Sequence, residues 1–579
     1  MRLVTKATLI LACTLQASAA DVIRVSASCP GVDASTLDET VLFPIFLQIN
    51  GLDGLKRIET EARNDGSGTL SIYFDAKTDL NLAEIRVQNR VNLALPALPD
   101  SCRQLGISVR KLPDSPSRFW LALVSTEASY DEVFLNNYAI INLKPACARV
   151  PGVTEARLIG GEDFDLQVWL NRDRMTAYKL TDRDVVDSLR QQNPKLTASG
   201  TISGKQSHHI FAAPSRLTKP EEFESVILRA DANGEVLRLK DVARVEFGKP
   251  RGGFARVNGK PAALIEVTAW PGRVTADQFV SHEAVAASLP PGLSFISLTD
   301  RTADRLVSVE VRLPPGSTLE RTEEVVAQST ELIRQLPGQL SIFAFAENRE
   351  PNSATIFVKA DAKKGPTAAD VEKALGSIPD VMIRTSDALP GEAPFPVRMA
   401  LTDRGESDPD QLNRVAERVL ALLLKEKEIS GPVAFPQSAR QLSIEVNREM
   451  CAQRGVELND IFTTLQTSLG GVHATEFSKF GRMYRVTVKT DPQFVRAPED
   501  LATLMIRDKA GEMIPLKMVS TIRVVSAPAT VVRVDGHRSL VITAAPTSGK
   551  SSAQVAAKCV KLAQDVLPSG YRVINLTAP

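Results

Sequence analysis

Arg256-Val257-Asn258-Gly259 and Arg533-Val534-Asp535-Gly536 are near-copies of one tetrapeptide. The match extends outward from them. Asn233-Gly234-Glu235-Val236-Leu237-Arg238-Leu239-Lys240 reads against Ala510-Gly511-Glu512-Met513-Ile514-Pro515-Leu516-Lys517. Further back, Asn171-Arg172-Asp173 opens a stretch (171–189) that reads against 447–465, which opens Asn447-Arg448-Glu449. An offset held at 276 or 277 residues over such a distance marks an internal duplication. Two halves, roughly 21–300 and 301–579, therefore share one architecture.

Each half opens with the same element order. In the first, Val22-Ile23-Arg24-Val25-Ser26 alternates as a strand, and a helix follows from Ser35 to about Asn50. Ser35 is read as its N-cap, with Asp38 and Glu39 at the positive helix end. Strands at 56–63 and 69–74 flank an Asp65-Gly66-Ser67-Gly68 turn. A helix over about 82–95 and a strand at 107–109 complete the order. The second half gives a strand at 307–311, a helix at 319–336, strands at 340–345 and 355–359, a helix near 368–375 and a strand at 381–384. Both read βαββαβ, the ferredoxin-like unit, so the fold class is α+β by tandem duplication.

The chain has 579 residues, 43% apolar and 24% charged, enough for several ordinary domains. Its 69 Lys+Arg against 68 Asp+Glu leave +1, with no long-range attraction for nucleic acid or an anionic membrane. The longest mostly apolar run, 7–20, falls short of the roughly 20 residues of a membrane span. It follows Arg2 and Lys6 and ends in Ala17-Ser18-Ala19, so 1–20 reads as a secretory signal peptide. The competing reading makes Ile10-Leu11-Ala12-Cys13 a lipidation box with the anchor on Cys13.

Past that segment stand Cys29, Cys102, Cys147, Cys451 and Cys559, with no C-x-x-C pair, so neither a zinc site nor a dithiol redox motif is expected. In a βαββαβ sheet the fourth strand lies beside the first. Cys29 follows the first strand and Cys102 precedes the fourth, which makes the pair a disulfide candidate; two free thiols are the alternative.

The segments Ser28-Cys29-Pro30-Gly31-Val32-Asp33-Ala34, Arg86-Val87-Gln88-Asn89-Arg90-Val91, Leu95-Pro96-Ala97-Leu98-Pro99, Pro220-Glu221-Glu222-Phe223 and Leu239-Lys240-Asp241-Val242-Ala243-Arg244-Val245 carry a specific resemblance. So does Val257-Asn258-Gly259-Lys260-Pro261-Ala262. They resemble the periplasmic head of resistance-nodulation-division (RND) efflux pumps, hydrophobe/amphiphile branch, in collinear order over nearly all of 21–579. The resemblance implies porter subdomains at 21–112, 113–161 with 269–300, 301–390, and 391–437 with 543–579. It implies docking subdomains at 162–268 and 438–542.

It further implies a periplasmic location, amphiphilic small molecules as cargo, and assembly as a homotrimer or with a membrane-embedded RND subunit, a membrane-fusion adaptor or an outer-membrane channel. The family's transmembrane helices have no counterpart here. A signal peptide stands in place of the first, Asp300-Arg301-Thr302-Ala303-Asp304 joins the halves directly, and the chain stops at Pro579. The expectation is an accessory that cannot use a proton gradient by itself. The alternative is a non-transport binding or scaffold protein that kept the fold and lost the drug pocket.

Where the family carries a Phe-bearing switch loop, Ala346-Glu347-Asn348-Arg349-Glu350-Pro351-Asn352 is short and charged. Phe343, Phe345 and Phe357 flank it as candidate ligand-binding residues, and Trp270 in Trp270-Pro271-Gly272 is a fourth. The segment between Gly200 and Pro220, where the family projects an arm into the next protomer, reads as trimmed. Ala544 to Ser551 nearly fits a P-loop but is read as a Gly/Ser turn capping a helix. His208-His209 sit on opposite faces of a strand with no third ligand near, while His282, His473 and His537 stand alone. No catalytic constellation is found, so no enzyme activity, metal or cofactor is expected.

Overall fold

The computed structural model describes residues 21–577, apart from 30, 100–101, 104–105, 114–116, 127–129, 162–164, 195–197, 204–207, 214–215, 231–233, 249–251, 275–288, 299–303, 315, 348–349, 389–394, 406–408, 435–437, 480–481 and 548–549. The segment 1–20 with Cys13, most of the 300–304 junction, Asn348-Arg349, Ser548-Gly549, His282 and the side chains of His208 and His209 lie outside the described residues. No helix among the described residues is long and apolar enough to cross a membrane.

Unit I runs as strand Asp21–Ser28, a long helix, strands Leu55–Arg63 and Ser67–Phe74, helix Leu80–Ala94 and strand Ile107–Pro113. Its sheet order is second, third, first, fourth, as a βαββαβ unit requires. Unit III repeats it with strands Asp304–Arg312, Gln339–Glu347, Ser353–Asp361 and Met382–Ala388 and helices Leu319–Arg334 and Ala368–Leu375. Two more units have the same strand order. Unit II uses Ser117–Ser125, Val153–Ile159, Lys260–Ala269 and Leu293–Ser297. Unit IV uses Val397–Asp403, Ile429–Ala434, His537–Pro546 and Tyr571–Asn575.

The first helix departs from its sequence reading at its start. Asp33, not Ser35, is the N-cap, its carboxylate accepting from the N–H groups of Ser35 and Thr36. A carboxylate there also suits the positive helix end better than a hydroxyl. The helix then opens into a π turn over Asp38–Leu42, ahead of Pro44. Proline has no N–H to return to the residue four back, so the ladder shifts by one. The same sequence logic recurs in unit II, where the π turn Ala139–Leu143 precedes Pro145.

The two tetrapeptides that fix the duplication are hairpin corners. Asn258 (φ +50°) with Gly259 (φ +76°), and Asp535 (φ +50°) with Gly536 (φ +84°), have positive φ at both central positions, the signature of type I′ turns. Each hairpin's outer strand leaves its own half. Gly253–Val257 pairs with Gln339–Glu347 of unit III, and Thr530–Val534 pairs with Leu55–Arg63 of unit I. Two nine-stranded sheets result, one joining units II and III and the other joining units I and IV.

Each junction is fastened twice. Asn258 donates its N–H to Ile342 O (2.8 Å), and its Oδ1 accepts from Ile342 N (2.8 Å). Asp535 does the same with Ile58, at 2.8 and 2.9 Å. The arginine two residues earlier then reaches a helix of the other half. Arg256 bonds Glu323 of the other half as well as Glu132 of its own (3.1 Å), and Arg533 Nε bonds Asp38 Oδ2 (2.7 Å). Glu323 and Asp38 occupy the same position, the fifth residue of their helices. Burial pushes the Asp38 carboxyl above its ordinary pKa, against the lowering pull of Arg533.

The two stretches read as docking subdomains, 162–268 and 438–542, also pair across the halves. Asp165–Leu170 runs parallel to Arg482–Thr490 in a four-stranded sheet. The stretch read as a trimmed arm forms a hairpin of strands Ala198–Ser203 and His208–Ala213.

Asp535→Ala and Asn258→Ala should each lower stability by about 1–3 kcal/mol, since each removes the acceptor for a strand N–H and places alanine at positive φ. Asp535→Asn should cost little, because Asn258 already performs this task in the other half. Urea unfolding of the three variants measures it.

Candidate functional site

The sheet joining units II and III has two unlike faces. Strand alternation sends Val307, Val309 and Val311, Ile342 and Ala344, and Ile356 and Val358 into a core beneath the helices of unit III. The opposite face receives Leu306, Phe343 and Phe357 from unit III with Trp120, Ala122, Ile159 and Leu264 from unit II. Trp120 and Phe357 lie with ring centroids 5.0 Å apart, and Phe345 lies 6.1 Å from Phe357. Two polar atoms are stranded in this apolar setting. Trp120 Nε1 and Ser308 Oγ are buried with no hydrogen-bond partner among the described residues. Each such atom costs free energy on the order of 1–3 kcal/mol until something bonds to it.

Along the same face the chemistry turns from aromatic to ionic. Glu310, two residues from Ser308, bonds Arg384 Nη1 (2.7 Å) and pairs with Arg312 (3.4 Å). Arg312 pairs with Glu350 (2.9 Å), and Glu350 pairs with Arg63 of unit I (3.5 Å). Arg384 donates to Gly431 O of unit IV (2.7 Å) and lies 3.6 Å from the Phe395 ring centroid. Burial pulls this guanidinium below its ordinary pKa, and Glu310 opposes the pull. The ladder thus ties unit III to units I and IV. Glu347 is anchored too, through Arg157 (2.7 Å), which also holds Glu266 (3.0 Å). The charged stretch 346–352 is therefore clamped at both ends by arginines.

The structure brings Phe343, Phe345 and Phe357 together and leaves Trp270 apart. Trp270 follows strand Lys260–Ala269, four residues past the Glu266 that faces Trp120, and is not part of the aromatic cluster. It is half-buried, donates its backbone N–H to Gly152 O (2.9 Å), and has Lys111 Nζ 5.5 Å from its ring. Trp120 and Ser308 were not among the sequence candidates. Phe119 to Leu123 is apolar without alternation, the mark of a strand buried on both faces, and this was the available signal.

Cys29 and Cys102 form a disulfide in the core of unit I, with Cα atoms 4.7 Å apart. Cys147, Cys451 and Cys559 are buried thiols; burial pushes Cys147 up to about 12 and Cys559 up to about 11. The near-P-loop turn leads to Ser551, which caps helix Ser552–Gln564 in a capping box with Gln554. The bridge spans 73 residues, so Cys102→Ser should cost about 2–4 kcal/mol. Non-reducing peptide mapping should recover the two peptides joined, with the three other thiols unlabelled in the native state.

The AcrB/AcrD/AcrF family model matches residues 18–304 and 292–575. Among curated relatives, the multidrug export protein AcrF of Escherichia coli K12 is 37% identical over 276 residues, 46% of this chain and 26% of that protein. The multidrug resistance protein MdtF of the same strain is 31% identical over 299 residues, 50% of this chain and 28% of its own length. The solvent-resistant pump membrane transporter SrpB of Pseudomonas putida is 32% identical over 237 residues, 40% of this chain and 22% of its own length. Each match spans about a quarter of the relative's length.

Proposed function

The chain belongs to the AcrB/AcrD/AcrF family of RND efflux proteins, and on that premise we propose that it is a periplasmic porter-and-docking head, accessory to export of amphiphilic small molecules. The observation that carries the proposal is the Trp120–Phe343–Phe357 cluster between units II and III, with Trp120 Nε1 and Ser308 Oγ buried and without a hydrogen-bond partner among the described residues. Aromatic faces beside stranded hydrogen-bonding atoms suit a molecule with an apolar body and a polar tip. Movement across a membrane would fall to a membrane-embedded RND partner, with an adaptor and an outer-membrane channel completing the route.

Self-association into a trimer belongs to the same proposal. On helix Leu80–Ala94 the large side chains Leu82, Ile85 and Leu93 share one face and are 46%, 59% and 64% exposed, which is unusual for a helix whose other face is core. The ribbon of Ser438–Val446 and Ser520–Pro528 pairs with no further strand among the described residues, and its facing Leu442 and Val524 are exposed. A second copy laid against these surfaces would cover them.

The second reading, a binding or scaffold protein without cargo, is favoured by one observation. The ladder from Arg384 through Glu310, Arg312 and Glu350 to Arg63 fixes the loop that would have to move to admit a large ligand.

Thermal unfolding against bile salts, detergents and cationic dyes separates the two. The cargo reading expects a rise in Tm that grows with ligand concentration, about 2.7 kcal/mol of stabilisation at a hundredfold excess over Kd, weakened by Trp120→Phe. No rise with any ligand transfers the protein to the second reading. Sedimentation should give a trimer mass for the wild type and a smaller species for Ile85→Glu; a wild-type monomer at all concentrations would remove the assembly claim.

A further inference from the structure

Unit I packs one face of its sheet on its helices and leaves the other face polar. Ile23, Val25 and Ala27, with Leu70 and Ile72, belong to the core beneath the helices. Alternation therefore puts Arg24 and Ser26, Thr69 and Ser71, and Ser108 and Arg110 on the opposite face. Register makes them neighbours. Arg24 stands directly opposite Arg110 on one side and Ser71 on the other, and Ser26 stands opposite Ser108 and Thr69. Cross-strand partners lie about 5 Å apart, and the next residue on the same face lies about 7 Å along the strand. Two guanidinium groups and four hydroxyls thus share a patch of roughly 10 by 7 Å.

These groups are nearly all unengaged. Arg24, Ser26, Thr69, Ser71 and Ser108 make no side-chain hydrogen bond or ion pair among the described residues. Arg110 has Glu155 of unit II at 3.8 Å, with the two side chains 59% and 41% exposed. The carboxylates next along the sheet have arginines of their own. Glu59, opposite Ser71, pairs with Arg57 (2.9 Å) and Arg398 (3.5 Å), and Glu61, opposite Thr69, pairs with Arg63 (2.7 Å). Arg24, Ser108 and Arg110 are exposed and the other three half-buried, so the patch is open to an occupant. The next row, Val22, Tyr73 and Leu112, is buried and closes one side. Like charges directly opposite on a sheet cost stability. Unit III shows the balanced arrangement: between its first and fourth strands Glu310 stands opposite Arg384 and bonds it (2.7 Å). Unit I sets arginine against arginine.

We propose that this patch binds a dianionic phosphate group, free or as the terminal monoester of a larger molecule. Guanidinium forks match phosphate oxygens, and the hydroxyls donate to the oxygens that remain. Two negative charges balance both arginines and remove the repulsion between them. Glu155 competes for Arg110, but an exposed pair at that distance is worth little. The patch lies on the sheet of units I and IV and the aromatic cluster between units II and III, so the two stand or fall separately.

The test is calorimetric titration of the whole chain with inorganic phosphate and with methyl phosphate, at low salt and above the second ionisation of a phosphate monoester, about 6. The expected result is saturable binding, weakened by added salt and about tenfold or more weaker in Arg24→Gln and in Arg110→Gln. Arg321→Gln, at an exposed arginine of the first helix of unit III, should leave it unchanged. Without phosphate, Arg24→Gln should melt above the wild type, because the repulsion is gone; phosphate should raise the Tm of the wild type and not of either patch variant. Methyl phosphate bound as tightly as inorganic phosphate supports the site with the group carried on a larger molecule, and binding of inorganic phosphate alone supports it with the free anion. Absence of saturable binding, undiminished binding in both patch variants, or equal weakening in Arg321→Gln would overturn the site. So would a lower Tm for Arg24→Gln without phosphate, which would make Arg24 a structural residue.

Discussion

The backbone exchange at two corners, Asn258 with Ile342 and Asp535 with Ile58, is the constraint on which the molecule is built. A ferredoxin-like unit alone has open edges, and open edges seek partners. Here the partner of unit I is a hairpin that belongs to unit IV, and the partner of unit III is a hairpin that belongs to unit II. The left-handed residue at each corner is Asn or Asp because only a short polar side chain both tolerates positive φ and turns back to accept a strand N–H. The arginine two residues before each corner adds a charge-assisted contact to a helix of the other half, Arg256 to Glu323 and Arg533 to Asp38. Breaking either corner leaves a buried carboxylate or an unpaired strand edge, so the halves are mutually dependent.

That dependence shapes the candidate surface. The face bearing Trp120, Phe343 and Phe357 exists because units II and III share a sheet; neither unit supplies it alone. The aromatic end offers stacking area and two polar atoms unpartnered among the described residues, whereas the ionic end binds unit III to units I and IV. Paired, partly buried guanidinium and carboxylate groups are costly to separate because each would be left without its counter-charge. The ladder therefore ties the ionic end of the face to units I and IV.

Much of the local structure was legible in the sequence. The element order of units I and III follows from strand alternation, helix periodicity and the Asp65-to-Gly68 turn, all of which are local patterns. The Cys29 and Cys102 juxtaposition followed from strand order alone. The exchange was not legible: a pairing such as Glu59 with Val534 joins residues from opposite halves and leaves no trace in either strand. Its only local mark was the Asn-Gly and Asp-Gly corner, which predicts a turn but not where the outer strand goes. Trp120 escaped because its strand is apolar on both faces, so periodicity could not assign it a side. Asp33 and Ser35 are both good cap residues, and only backbone geometry places the cap at Asp33.

The most direct test of the exchange is to express 21–300 and 301–579 as separate chains and measure their folding and association by circular dichroism and sedimentation. The account predicts a tight one-to-one complex with the spectrum of the whole chain, and poorly folded or aggregated material from either half alone. Two halves that are each monomeric, cooperatively folded and indifferent to one another would contradict it.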